Sequence, residues 1–264
     1  MARSRPATKS VDPDTPSVRV WLRFYAELGS FLPTDQWGVA VARVLPERDS
    51  VKDVIEALGV PHTEVDLILV NGESVDFSYQ VRDGDHISVY PRFRSIDVES
   101  LSRVRPPSLP EPRFVLDTHL GKLATHLRML GFDTLYRNDY DDDALARISS
   151  REGRILLTRD RGLLKRSAVT HGYHVWETDP ERQVVEVLRR FDLFDAVAPF
   201  RRCLRCNGLL ELVAKEAIAD RLEPKTRRYY DEFARCPACD QIYWKGSHHE
   251  RMTRLVAQLA GDGR

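Results

Sequence analysis

Four cysteines in two Cys-x-x-Cys pairs, Cys203/Cys206 and Cys236/Cys239, are the only cysteines in the chain. A two-residue gap lets both thiolates of a pair turn inward from one tight loop onto a single ion. Two such loops complete a tetrahedral four-sulfur site, which suits zinc. The 29 residues between the pairs are enough for a hairpin-based ribbon. Disulfides are the alternative, and they require an oxidising compartment. The opening MARSRPATKSVDPDTP lacks the apolar stretch of a secretory signal, so the reading expects cytoplasmic protein and structural zinc. With four protein ligands no position stays open for substrate, and this metal holds shape and does no chemistry.

A second group of residues has the types needed for hydrolysis. Asp117 follows a short apolar stretch, Asp160 closes Thr158-Arg159-Asp160, and Asp139, Asp141, Asp142 and Asp143 crowd one segment. Carboxylates that converge repel one another unless a cation lies between them. Oxygen ligands alone suit Mg or Mn, which activate water and clamp a phosphate. Each acid alone also reads as a helix cap. Arg128 and Arg159 are candidates to hold a phosphate or to balance the acids. The Thr158 hydroxyl is placed to orient a water or simply to end a strand. Arg227, Arg228 and Tyr229, with Lys245 and His248 after the last cysteine pair, combine cations and aromatics as nucleic-acid surfaces do.

The elements that would position these residues fall into two patterns. In the first, Val18, Val20, Leu22 and Phe24 alternate with polar or aromatic residues as a strand does, and Val39–Val44 is its hairpin partner. Ser50 caps a helix that ends at Gly59, Leu67–Val70 is a strand, Asn71-Gly72 is a tight turn, and His86–Tyr90 closes the unit. That is a β-grasp order. In the second pattern, strands and helices alternate from Arg113: strands at Arg113–Leu116, Thr134–Tyr136, Arg154–Thr158 and His174–Glu177, helices from Leu120, from Asp142 or Asp143, over Gly162–Arg166 and over Pro180–Phe191. The order implies a parallel sheet covered on both faces, with ligands at the carboxyl ends of its strands. The expected organisation is a tail at 1–17, a β-grasp domain at 18–98, a proline-bearing linker at 99–112, an α/β domain at 113–199, a zinc ribbon at 200–252 and a tail at 253–264.

Composition excludes several classes. Hydrophobic content of 42% with 30% charged residues is globular, and no apolar run approaches a membrane span. The formal net charge is zero. The balance is uneven along the chain: 8 Lys/Arg against 13 Asp/Glu from Val18 to Val98, but 12 against 8 from Pro199 to Arg254. The ribbon end is basic and the front end acidic, which suits phosphate contact at the ribbon and an ordinary solvated face equally.

Two resemblances extend this reading. Val20–Leu28 (VWLRFYAEL), Leu69–Gly72 (LVNG) and Val81–Val89 (VRDGDHISV) resemble the ubiquitin-like sulfur-carrier proteins of molybdopterin and thiamine biosynthesis. Those carriers work through a terminal Gly-Gly, whereas here the strand runs on through Pro91-Arg92-Phe93, so a docking role for a protein partner is expected. Leu116–Gly131 (LDTHLGKLATHLRMLG), Arg154–Arg161 (RILLTRDR), the cysteine pairs and Tyr243–His248 (YWKGSH) resemble the Mut-seven C-terminal RNase family, a PIN-like nuclease domain with a zinc ribbon. The front unit resembles the ubiquitin-like domain fused ahead of it. The second resemblance implies RNA hydrolysis with Mg or Mn held by Asp117, Asp143 and Asp160, and with Asp142 or Asp179 as a fourth acid. The competing expectations are a non-catalytic RNA-binding adaptor and a sulfur-carrier-like partner protein.

Overall fold

The computed structural model describes residues 17–93, 97–246, 250–251, 253–254 and 257. The chain divides into two compact units, Met1–Pro106 and Pro107–Arg264. Among the described residues no helix is long and apolar enough to cross a membrane.

The first unit holds β1 (Val18–Phe24), β2 (Val41–Leu45), α1 (Val51–Ala57), β3 (Val65–Val70), β4 (Glu73–Ser74) and β5 (His86–Pro91). They form one mixed sheet in the order β2-β1-β5-β3-β4. The central pair β1 and β5 is parallel and the outer pairings are antiparallel. The alternation in β1 follows from one covered face: Val20, Leu22 and Phe24 are buried with Val54 and Ile55 of α1. Ser50 caps α1 by accepting from the Asp53 amide at 3.2 Å. Asn71 (φ 51°) and Gly72 (φ 90°) both take left-handed backbone, as a two-residue hairpin turn demands. The start of the expected linker is fastened to this unit. Ser102 Oγ donates to the Asp66 carbonyl at 2.5 Å, and Arg105 grips the Asp66 carboxylate through Nε at 2.7 Å.

The second unit begins with β6 (Phe114–Leu116), α2 (Gly121–Met129), β7 (Thr134–Leu135), α3 (Asp142–Glu152), β8 (Ile155–Thr158), α4 (Arg161–Leu164), β9 (Gly172–His174) and α5 (Pro180–Phe191). The four strands are all parallel, in the order β7-β6-β8-β9. Both faces are covered, which is why these strands read as continuous apolar runs. Phe114, Leu116 and Leu157 face a core shared with Leu123 and Leu127 of α2 and Val184 and Leu188 of α5. Val115 and Leu156 face the other core, with Leu145 of α3 and Leu163 of α4.

Two local readings shift, and a third, the helix stop at Gly131, is sharpened. The fourth strand stops at His174 because the Trp176 and Glu177 amides donate to the Glu186 carboxylate, at 2.8 and 3.0 Å, and so leave the ladder. The cap of α3 is Asp141, whose Oδ1 accepts from the Ala144 amide at 2.7 Å, so Asp142 and Asp143 fall inside the first turn. The stop of α2 at Gly131 is tighter than a turn alone requires. Its φ is 96°, and a Cβ there would lie 2.0 Å from the Ala198 carbonyl oxygen.

The unit closes with β10 (Glu211–Val213), α6 (Pro224–Tyr229), β11 (Phe233–Arg235) and β12 (Ile242–Trp244). The three strands form an antiparallel sheet around Ile218, Phe233 and Ile242.

Candidate active site and metal centre

The order β7-β6-β8-β9 reverses between β6 and β8, so the sheet's topological switch point lies between their carboxyl ends. Asp117 follows β6 directly, and Thr158 is the last residue of β8. The Thr158 hydroxyl joins the two strand ends: it donates to Asp117 Oδ2 at 2.6 Å and accepts from the Asp160 amide at 2.9 Å. Asp117 is 8% exposed. Its other oxygen accepts from the Thr118 amide at 2.5 Å. No Lys or Arg ion pair to Asp117 occurs among the described residues, so this buried carboxylate sits without a permanent counter-charge. Asp160 caps α4, with Oδ1 accepting from Gly162 at 2.7 Å and Leu163 at 3.4 Å. The cap reading of Asp160 is therefore correct for one oxygen.

His119 belongs to this network and escaped the sequence reading. Its Nε2 accepts from the Arg159 amide at 3.2 Å, which places the proton of a neutral ring on Nδ1. Nδ1 lies 3.4 Å from Asp117 Oδ2. The available signal was the Asp-Thr-His spacing, too short to separate from chance. Arg159 is exposed, and its Nη1 makes a long 3.3 Å bond to the Glu177 carbonyl.

The other acids are engaged elsewhere. Asp143 pairs with Arg166, and Asp142 lies 3.6 Å from the same guanidinium. Asp139 pairs with Arg137 at 2.6 Å. Asp179 caps α5 through the Glu181 and Arg182 amides. Beside the crevice, at the end of β9, His174 is buried and tilted onto Trp176 at 4.4 Å, and burial lowers its pKa to about 4.

Arg128 has a different position from the one expected of a phosphate ligand. It is 5% exposed. Its Nε donates to the Thr134 carbonyl at 2.9 Å, and Nη1 to the Leu204 and Arg205 carbonyls at 2.9 and 3.2 Å. The physical reason is the cysteine loop, whose carbonyls point back at α2 and need donors.

That loop forms half of a four-sulfur cluster. Cys203, Cys206, Cys236 and Cys239 bring their Sγ atoms within 4.8 Å of one another. Among the described residues they are the one group of three or more His, Cys, Asp or Glu side chains gathered so closely. A zinc–sulfur bond of about 2.3 Å in a tetrahedron implies sulfurs roughly 3.8 Å apart, and the Cys203–Cys239 and Cys206–Cys236 separations are 3.4 Å. The two turns repeat each other. The amide of Asn207 donates to the Cys203 carbonyl and that of Asp240 to the Cys236 carbonyl, with left-handed φ of 69° and 58°. Gly208 allows the close approach, since a Cβ would stand 3.3 Å from Cys236 Sγ. Thiol ionisation is frustrated without a cation: burial and then neighbouring sulfurs push Cys206 up, while Cys203 is drawn down against its burial by the Tyr243 hydroxyl. That hydroxyl lies 3.1 Å from Cys203 Sγ and accepts from the Leu204 amide at 3.1 Å. The donor set thus fits zinc.

Of the expected RNA contacts, Arg227, Arg228 and Tyr229 are exposed on α6, with the Arg228 guanidinium 5.5 Å from the Tyr229 ring centroid. Lys245 is paired with Glu232 at 2.5 Å. His248 lies outside the described residues.

Comparison with known proteins follows this division. A solved structure, "Solution structure of the Haloferax volcanii HVO 2177 protein", is 20% identical over 35% of this chain and 99% of its own, with a TM-score of 0.26, too low to carry an argument. No curated protein matches. The family described as Mut7-C ubiquitin matches residues 17–97, and the family described as Mut7-C RNAse domain matches residues 112–256. The latter match covers more than half of the chain and takes in both the switch-point acids and the four cysteines, so this protein belongs to the Mut7-C RNAse domain family.

Proposed function

We propose that the chain is a metal-dependent ribonuclease that hydrolyses RNA phosphodiester bonds at the crevice between the ends of β6 and β8. The observation that carries this is Asp117: a buried carboxylate at a topological switch point, with no guanidinium or ammonium paired to it among the described residues and a hydroxyl locking it to the Asp160 turn. Buried carboxylates are ordinarily paired with a cation or used to hold a metal. Asp117 and the free oxygen of Asp160 are hard donors that suit Mg or Mn. Such an ion supplies an activated water and neutralises charge on the phosphate.

The chain's own residues divide the remaining work. The Thr158 hydroxyl ties the Asp117 carboxylate to the backbone amide of Asp160. Arg159, exposed and only weakly held, swings to the scissile phosphate and stabilises charge as the phosphorus–oxygen bond breaks. Asp143 joins the acids when Arg166 releases it. Arg227, Arg228 and Tyr229 hold RNA outside the crevice, and Lys245 does so once it leaves Glu232. The ubiquitin-like unit docks a partner.

Asp160→Asn keeps the cap, because its amide oxygen still accepts from Gly162, yet removes the charge. Cleavage of a labelled RNA in Mn should fall at least a hundredfold at unchanged melting temperature. Full activity in Asp160→Asn and in Asp117→Asn would remove the crevice from the reaction. Binding of RNA with no cleavage in the wild type would favour the adaptor.

A further inference from the structure

The open face of the first sheet carries chemistry that the crevice does not use. β1 and β5 are parallel neighbours at the sheet's centre, in the register Trp21 to His86 and Arg23 to Ser88. One side of this pair is core. The other presents Arg19, Trp21 and Arg23 from β1 and His86, Ser88 and Tyr90 from β5, all exposed or half-buried. Trp21 stacks on His86 with ring centroids 5.0 Å apart and planes at 8°. Tyr25, one residue past β1, stacks on Tyr90 at 4.3 Å and 12°. The Arg23 guanidinium lies 5.2 Å from the Tyr25 ring centroid. Next to the second stack a cavity of about 300 Å³ opens, walled by Arg23, Tyr25 and Trp37. The Trp37 indole lies over Gly29, where a Cβ would meet it at 3.5 Å, and it remains 52% exposed.

Charge on this face runs against the unit as a whole. The stretch Val18–Val98 has 13 acidic and 8 basic residues, yet no open-face position of β1 or β5 is acidic, and Arg19 and Arg23 are there. Asp83 sits beside Arg19, its carboxylate accepting from the Arg19 amide at 2.8 Å, so the positive charge of the face centres on Arg23, against the Tyr25 ring. Planar rings in register on two central strands, edged by arginine, offer what unpaired bases need: stacking surfaces indifferent to sequence and cations for the backbone.

We propose that this face is a second RNA-binding surface, on which bases of a single strand stack against the Trp21/His86 and Tyr25/Tyr90 pairs, one base enters the Arg23–Tyr25–Trp37 cavity, and Arg19 and Arg23 meet phosphates. The proposal rests on reading the chain as acting on RNA, and it extends that reading to a unit placed far from the acids in sequence. The face holds the strand while the crevice cuts it.

The test uses the full chain and a fluorescent oligoadenylate without added Mg or Mn, conditions in which the proposed cleavage does not proceed and the signal reports binding alone. Anisotropy titrations give Kd and its salt dependence. Trp21→Ala and Trp37→Ala should each raise Kd by about 5- to 150-fold, the range for losing one base–aromatic stack. Arg23→Ala should lower the slope of log affinity against log salt by about 0.7, the value for one phosphate of a single strand. Arg19→Ala with Arg23→Ala changes two exposed side chains only, and it carries the test if a tryptophan variant fails to fold. Cleavage of unmodified RNA by the same surface variants at saturating RNA is read separately, so a failure of the crevice reading is seen in cleavage and a failure of this one in binding. If Kd and salt slope are unmoved in all these surface variants, including the case where the face serves a protein partner, the proposal is overturned.

Discussion

Arg128→Met separates two readings of one residue. Methionine fills the space of the arginine stem but offers no donor to three carbonyl oxygens, those of Thr134, Leu204 and Arg205. A buried acceptor that loses its partner costs about 1–3 kcal/mol. Three of them, each keeping a second lone pair, come to roughly 3–6 kcal/mol, against a total domain stability of about 5–15 kcal/mol. At roughly 2–4 °C per kcal/mol for a unit of this size, the melting temperature should fall by about 6–24 °C. Two of the three carbonyls belong to the Cys203–Cys206 turn. About two thirds of the loss therefore falls on the metal loop, and zinc affinity should weaken by roughly 30- to 1000-fold. Burial lowers the Arg128 pKa while the facing Cys203 and Cys206 raise it, so the variant also removes a positive charge from beside the thiolates. Thermal melts, with zinc competition against a chromogenic chelator, read both effects. An Arg128→Met protein that keeps its melting temperature and its zinc but loses RNA cleavage would refute this reasoning and return Arg128 to the phosphate.

The remaining predictions concern backbone and pH. Gly131→Ala puts a Cβ where the Ala198 carbonyl oxygen already stands, at a φ of 96°, and should cost at least about 3 kcal/mol in a denaturant titration. His174 is neutral in the fold because burial lowers its pKa to about 4, while the unfolded chain protonates it near 6.5. Between those values the unfolded state binds the extra proton, so stability is complete above pH 6.5 and declines toward pH 4, by about 3 kcal/mol in all. His174→Phe should flatten that part of the stability–pH curve.

Much of this arrangement was legible in the sequence because its signals are local. The cysteine spacing, the Ser50 cap, the Asn71-Gly72 turn and the helix from Pro180 to Phe191 each rest on a few adjacent residues. The acids were legible as strand-end residues: Asp117 directly follows β6, and the Asp160 amide donates to the hydroxyl of Thr158, the last residue of β8. What escaped depends on distant partners. Arg128 looks like a phosphate ligand on a helix until the loop 76 residues later presents its carbonyls. Asp141 outcompetes its two neighbours as a cap through a single amide distance. His119 acquires its role only when the Arg159 amide arrives from β8. Asn207 carries no signal in the sequence, yet the left-handed conformation after Cys206 aims its amide group at the sheet.

That asparagine ties the cysteine loop to the sheet. Asn207 Oδ1 accepts from the Thr134 amide at 3.0 Å, and Nδ2 donates to Asp133 at 2.8 Å. Asp133 also takes Arg154 at 2.7 Å and Arg202 at 3.4 Å. Burial disfavours its charge, and these partners still hold its carboxyl below the usual range. Asp133 and Thr134 lie at the start of β7, and Arg154 precedes β8 while donating to the Phe114 carbonyl at the start of β6. The thiolate loop is therefore welded to the amino ends of three parallel strands, whereas Asp117 and Thr158 stand at the carboxyl ends. β6 has three residues and spans roughly 10 Å. The metal loop thus cannot lend its own side chains to the reaction through this weld, but it sets the strands that carry the acids. Loss of zinc should reach the crevice only as a loosening of β6 and β8.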